Sequence, residues 1–76
     1  MLKASKDIVV LETSINDEVI YQLQTNDFRE DLNAVINEYA RQLEEGGVEI
    51  FQIGNDFVVT ENCIYIAAYE EDVNEQ

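Results

Sequence analysis

Apolar residues fall into short runs separated by polar turns along most of the chain. Ile8-Val9-Val10-Leu11 opens a strand that continues through Thr13 to Ile15. Asn16-Asp17 supplies turn chemistry, because both side chains tolerate left-handed backbone and bond nearby amides. Val19, Tyr21 and Leu23 then alternate with Glu18, Ile20, Gln22 and Gln24, the period-two pattern of a half-buried strand. The two segments are expected to pair as a first hairpin.

The next segment changes period. Phe28, Leu32, Val35, Ile36, Tyr39 and Leu43 recur at spacings of three and four and form one apolar stripe, which predicts a helix from Asp27 to Glu45. Asp27 with Glu30 three residues on fits a capping-box start, and Asp31 adds charge where the helix dipole favours it. Gly46-Gly47 ends the element. Val48 to Ile53 then reads as a strand, Gly54-Asn55-Asp56 as a hairpin turn, and Phe57 to Thr60 as the return strand. Glu61-Asn62 is a second tight turn into a strand from Cys63 to Tyr69, or residues 57–69 form one longer, bulged strand. The expected fold is α+β: a single antiparallel sheet, elements in the order ββαβββ, with one face on a single amphipathic helix and the other toward solvent or a partner. Residues 1–69 make one small domain. Residues 70–76, with one apolar residue, form an acidic tail expected to fray.

Charge alters the picture more than any motif. Seventeen acidic residues oppose four basic ones, with no histidine, for a formal net charge of −13 over 76 residues. A disordered acidic segment would lack the Ile, Val and Phe seen here; 46% of the chain is hydrophobic, which indicates a folded domain. The size gives room for one core and burial of only about 60% of the unfolded chain's surface. Two of the four cations, Lys3 and Lys6, precede residue 8, so sixteen acids from Ile8 onward face only Arg29 and Arg41. Nucleic acid and anionic membranes would repel this body, since phosphate binding needs Lys and Arg. Basic proteins and cationic ligands would be attracted. Met1-Leu2-Lys3 is not followed by the roughly 7–15 apolar residues of a signal peptide, and no run approaches the ~20 residues of a membrane span. With a lone Cys63, a reducing cytoplasm is the expected setting, that of a host cell if the chain is phage-encoded.

Catalytic chemistry finds little support. Histidine, the commonest general base, is absent. Cys63 lies in an apolar strand with no cation close in sequence, which suits a buried, unreactive structural cysteine. Asn16-Asp17-Glu18 and Asn55-Asp56 sit at turns where these residues are favoured for backbone reasons. Neither continues into a calcium loop, and no glycine-rich loop precedes a helix as a phosphate cradle requires. Glu70-Glu71-Asp72 could hold a divalent ion weakly, but a solvated acidic end explains it more simply. No catalytic residue, cofactor or metal site is therefore expected.

On a helical wheel Asp27, Asp31, Glu38 and Glu45 fall within about 40° of one another, a row roughly 27 Å long with gaps of roughly 6 to 11 Å. Arg41 alone could neutralise part of it, through Glu38, Glu44 or Glu45. Acids near a helix start are expected on dipole grounds, whereas Glu38, Glu44 and Glu45 oppose the dipole. The candidate partner-binding residues are thus Asp27, Asp31, Glu38 and Glu45, then Glu70, Glu71 and Asp72. Tyr65 and Tyr69 on the last strand are candidate aromatic anchors, with Phe51 and Phe57 behind them. For every aromatic the competing explanation is core packing.

The functional expectation is a non-catalytic inhibitor that presents a nucleic-acid-like acidic surface to a basic, nucleic-acid-handling protein. In size and charge the chain is similar to phage and mobile-element inhibitors of restriction, CRISPR and repair nucleases, a likeness of composition in which no motif takes part. An immunity protein or antitoxin against a basic toxin would use the same physics. A structural or adaptor subunit, or a homodimer formed through a sheet face or edge, would need the acidity only for solubility.

Overall fold

The computed structural model describes residues 7–73. They form an α+β fold in which a four-stranded antiparallel sheet, order β1-β4-β3-β2, is packed against helices. The elements are β1 (Ile8–Thr13), α1 (Asp17–Gln24), α2 (Glu30–Glu45), β2 (Ile50–Ile53), β3 (Phe57–Thr60), β4 (Ile64–Tyr69) and the single turn α3 (Glu70–Val73). The order is βααβββ, so the second element is a helix and the expected first hairpin does not form. β1 instead pairs along its whole length with β4, from Ile8 opposite Tyr69 to Thr13 opposite Ile64.

Asn16 explains the change. Its backbone is extended, and its Oδ1 accepts hydrogen bonds from the Glu18 amide at 2.8 Å and the Val19 amide at 3.3 Å. The residue that reads as a turn is therefore a helix N-cap, and Asp17 and Glu18 place negative charge at the positive end of the dipole. A strand would send Val19 and Ile20 to opposite faces. A helix brings Val19, Ile20 and Leu23 to one face, and these three pack on Phe57, Val59, Ile64 and Ile66. Tyr21, the middle of the apparent alternation, is 67% exposed.

α2 lies on the other face of the sheet. Leu32, Ile36 and Ala40 pack on Val58, Ala67 and Tyr69, with Val35, Leu43, Ile8, Ile50 and Tyr65 around them. The face expected to meet solvent or a partner is thus covered in part by α1, and β3 is buried at all four positions. α2 starts at Glu30, three residues later than its apolar stripe suggests. Arg29 is an extended N-cap without a side-chain cap bond, no capping box forms, and Phe28 is 57% exposed. Residues 25–29 are needed to carry the chain from one sheet face to the other, which keeps them out of the helix. The C-terminal end is as expected. Gly47 takes φ +91°, its amide bonds the Glu44 carbonyl at 3.0 Å, and the Val48 amide bonds the Leu43 carbonyl at 2.9 Å, a Schellman arrangement.

Two turns set the register of the last three strands. Thr60 Oγ1 donates to the Cys63 carbonyl at 3.0 Å and accepts from the Asn62 and Cys63 amides, so β3 and β4 are separate strands rather than one bulged strand. At the β2–β3 turn the Gly54 amide bonds the Phe57 carbonyl at 2.8 Å, and Asn33 of α2 donates to the Asn55 carbonyl at 2.8 Å. The Phe57 ring fills the space where a Cβ on Gly54 would stand, 1.9 Å from Cε1. Phe57 is fully buried and has nowhere to go. Gly54→Ala should therefore cost about 1–3 kcal/mol in urea denaturation, whereas Gly46→Ala, whose added methyl meets only ordinary contacts near 3.5 Å, should stay within about 0.5 kcal/mol.

Candidate functional site

One hydrogen-bonded pair joins the start of α2 to the end of β4. The Tyr69 hydroxyl lies 2.8 Å from Asp31 Oδ1 and 2.7 Å from Asp31 Oδ2. Tyr69 is held there because its ring is part of the core under α2, and Asp31 also accepts from the Leu32 amide at 2.9 Å. The hydroxyl bond holds the Asp31 carboxyl below its usual range against a smaller opposing effect of burial, with help from the Leu32 and Asp31 amides and from Arg29. The same bond raises the Tyr69 phenol, assisted by burial, while the nearby Arg29 guanidinium works against it.

This pairing gathers one end of the molecule. Asp27, in the connection before α2, lines a cavity with Tyr69, and Glu30 and Asp31 form the first turn of α2. Glu70 and Glu71 follow Tyr69 directly in α3, both exposed, and the Glu70 amide bonds the Asp7 carbonyl at 2.8 Å. Asp72 belongs to the same helical turn. Asp31 is thus bonded to Tyr69 and Asp27 lies at a cavity that Tyr69 also lines, while Glu70 and Glu71 follow Tyr69 in the chain. Glu38 and Glu45 do not join them. Both lie further along α2 and bond Arg41, Glu45 at 2.7 Å through Nη1 and Glu38 through Nη2. Arg41, with help from Gln42, holds the Glu38 carboxyl below its usual range. The continuous row of four charges is thus divided, since Asp27 is off the helix and the two distal acids are paired.

The tyrosines are placed by packing. Tyr69 is 9% exposed, and Tyr65 is half-buried against Tyr39 of α2, ring centroids 5.1 Å apart and planes tilted by 56°. The Tyr65 hydroxyl is pushed up to about 12 by its bond to Cys63, then by burial and by Glu12 and Tyr39. Of the other aromatics, Phe57 is in the core and Phe51 is exposed on the edge strand β2. Cys63 is buried beside Thr60, with Oγ1 3.9 Å from its sulfur. Among the described residues, no three acidic or cysteine side chains converge as metal ligands would, and no helix is long and apolar enough to cross a membrane.

No protein-family model, curated protein or solved structure matches this chain. The site therefore rests on its own geometry.

Asp56 is the residue that sequence reading missed. It ends the β2–β3 turn, its carbonyl accepts from the Ala67 amide at 2.8 Å, and it is only 8% exposed. Its Oδ1 is buried without a hydrogen-bond partner, although Asn26 bonds the carboxylate. Burial raises its pKa above the usual carboxylate value, against the pull of its own amide and of Asn26. The available signal was an acid directly before a run of four buried strand residues; turn chemistry concealed it.

The two carboxylates have opposite linkage to pH. A depressed folded pKa contributes stability that is present above the unfolded value and lost as pH falls through the folded one. Tyr69→Phe should let the Asp31 pKa rise toward the usual value in a carboxyl NMR titration, with a stability loss seen at neutral pH that shrinks as pH falls below the ordinary carboxylate range. A raised folded pKa does the reverse: Asp56 weakens the fold above its folded pKa, and the penalty fades as pH falls toward the unfolded value. Asp56→Asn should then stabilise the protein at pH 7 by about 1 kcal/mol, read as a Tm increase of roughly 4–8 °C, with the gain disappearing in acid.

Proposed function

We propose that the chain is a non-catalytic inhibitor that docks its acidic end on the basic, nucleic-acid-binding surface of another protein. The observation that supports this reading is the Tyr69–Asp31 pair, which ties the acidic first turn of α2, Glu30 and Asp31, to the end of β4, where Glu70 and Glu71 follow in the chain. Among the described residues, Arg29 is the cation placed with them. A net charge of −13 adds a long-range field that steers a basic surface toward the molecule and raises its rate of encounter. The phenol–carboxylate bond fixes Asp31 on the end of β4, so less side-chain entropy is lost there on docking than a mobile acidic tail would lose. Arg41 already occupies Glu38 and Glu45, which makes the far end of α2 a poorer contact.

The test is affinity capture from nuclease-treated lysate at about 50 mM and about 500 mM salt, a range over which the screening length falls severalfold. A nucleic-acid-binding protein should be captured at low salt, released at high salt, and lose its DNA or RNA binding when the purified chain is added. Joint replacement Asp27→Asn, Glu30→Gln and Glu70→Gln should weaken that capture by at least about tenfold, a change of 1.4 kcal/mol. The pair Glu38→Gln and Glu45→Gln should weaken it much less. Capture of only salt-resistant partners, or of partners that keep their nucleic acid, overturns the reading.

A further inference from the structure

The sheet has two outer edges, and the fold treats them differently. β2 is four residues long, and its register against β3 shifts between Ile50 and Gln52. Short length and a bulge are devices that keep an edge from pairing with another chain. β1 has neither. Its register against β4 runs unbroken over six residue pairs, and it contains no proline and no lysine. The Glu70 amide donates to the Asp7 carbonyl at 2.8 Å, which fixes the phase of the ladder. Antiparallel pairing alternates, so Val9, Leu11 and Thr13 bond β4, while the amides and carbonyls of Ile8, Val10 and Glu12 point outward. Among the described residues, no strand pairs with that edge.

We propose that the outer edge of β1 takes up an extended protein segment in which lysine or arginine alternates with apolar residues, adding a fifth strand to the sheet. A regular row of three N–H donors and three carbonyl acceptors is what such a strand pairs with. The side chains of β1 set the alternation. Leu11, 38% exposed, lies opposite Ile66 on the α1 side of the sheet, where an apolar residue of the incoming strand covers it. Glu12 is exposed opposite Tyr65 on the α2 side, where a cation of the incoming strand meets its charge. Charge also decides against a second copy. β1 paired with itself would join two bodies of net charge −13, whereas a basic segment is drawn in by the same field. Strand pairing at this edge depends on backbone geometry and net charge, and not on the inhibitory reading.

The experiment is an amide NMR titration of the ¹⁵N-labelled chain with acetyl-Lys-Val-Lys-Val-Lys-Val-Lys-amide at pH 7 and about 50 mM salt, where screening is modest. Saturable shifts and slowed solvent exchange are expected at the Ile8, Val10 and Glu12 amides. The same peptide with every backbone nitrogen methylated keeps the charge but loses the donors. Acetyl-Glu-Val-Glu-Val-Glu-Val-Glu-amide keeps the backbone but reverses the charge. Neither should produce these changes. Val10→Pro removes the middle outward N–H and no bond to β4, so it should weaken binding of the lysine peptide by at least about tenfold, or 1.4 kcal/mol. If that variant does not fold, the comparison of the three peptides on the unaltered chain still decides. No saturable change at these three amides, or equal changes with the methylated or the glutamate peptide, overturns the proposal. So does undiminished binding by a folded Val10→Pro chain, or a dimer of the free chain in which the same amides are already protected.

Discussion

Phe57, Val58, Val59 and Thr60 are buried at successive positions, and successive side chains in a strand point to opposite sides of the sheet. β3 therefore needs a packed layer on each face, and one helix can supply only one. α2 covers Val58, and α1 covers Phe57 and Val59. These helices are consecutive, so the chain between them has to travel round the sheet. It does so where β3 has ended and β4 has not. The late start of α2, the exposed Phe28, the cavity and the sequestered Asp56 all lie along that short path.

A chain with so much like charge must also place its acids where they oppose folding least. Exposed pairs such as those of Arg41 contribute little, because solvent screens them and two long side chains have to be held. The Tyr69–Asp31 pair is of another kind. A phenol fixed in the core donates to an ionised carboxylate, and such charge-assisted bonds are shorter and stronger than neutral ones. It also joins residues 38 positions apart, so it fixes the start of α2 on the end of β4. Asp31 itself stays exposed, so its charge is kept at the surface by the bond that anchors the helix. Folding and display of charge are served by one contact.

The elements with a strong single period were legible in the sequence. The stripe Leu32, Val35, Ile36, Tyr39 and Leu43, the Gly46-Gly47 stop and the three C-terminal strands all stand where hydrophobic spacing puts them. α1 was not legible, because eight residues are too few to separate a helical face of Val19, Ile20 and Leu23 from an alternation through Tyr21. The evidence for its helix lies in Asn16, whose side chain serves a turn and an N-cap equally well. The same ambiguity spread to the site. A helical wheel placed Asp27 with Asp31, Glu38 and Glu45, since it took the helix to begin before the chain had finished crossing the sheet. That Asp31 meets Tyr69 depends on the order β1-β4-β3-β2, which local pattern does not encode.

Thr60 and Asp56 bracket β3, and the fold serves these two buried polar side chains differently. Both are polar and buried. Thr60 is fully engaged, its hydroxyl donating to one carbonyl and accepting from two amides, so the fold can satisfy a polar side chain at this depth. Asp56 is not satisfied to the same degree, although an asparagine could make the same turn without a charge, as Asn55 beside it illustrates. A buried carboxylate oxygen without a donor weakens the folded state, and a natural sequence keeps such a group as long as the fold stays above the stability it needs. The Asp56 carbonyl, which accepts from the Ala67 amide, still holds the end of the β3–β4 pairing, so the backbone of this residue supports the fold that its side chain weakens.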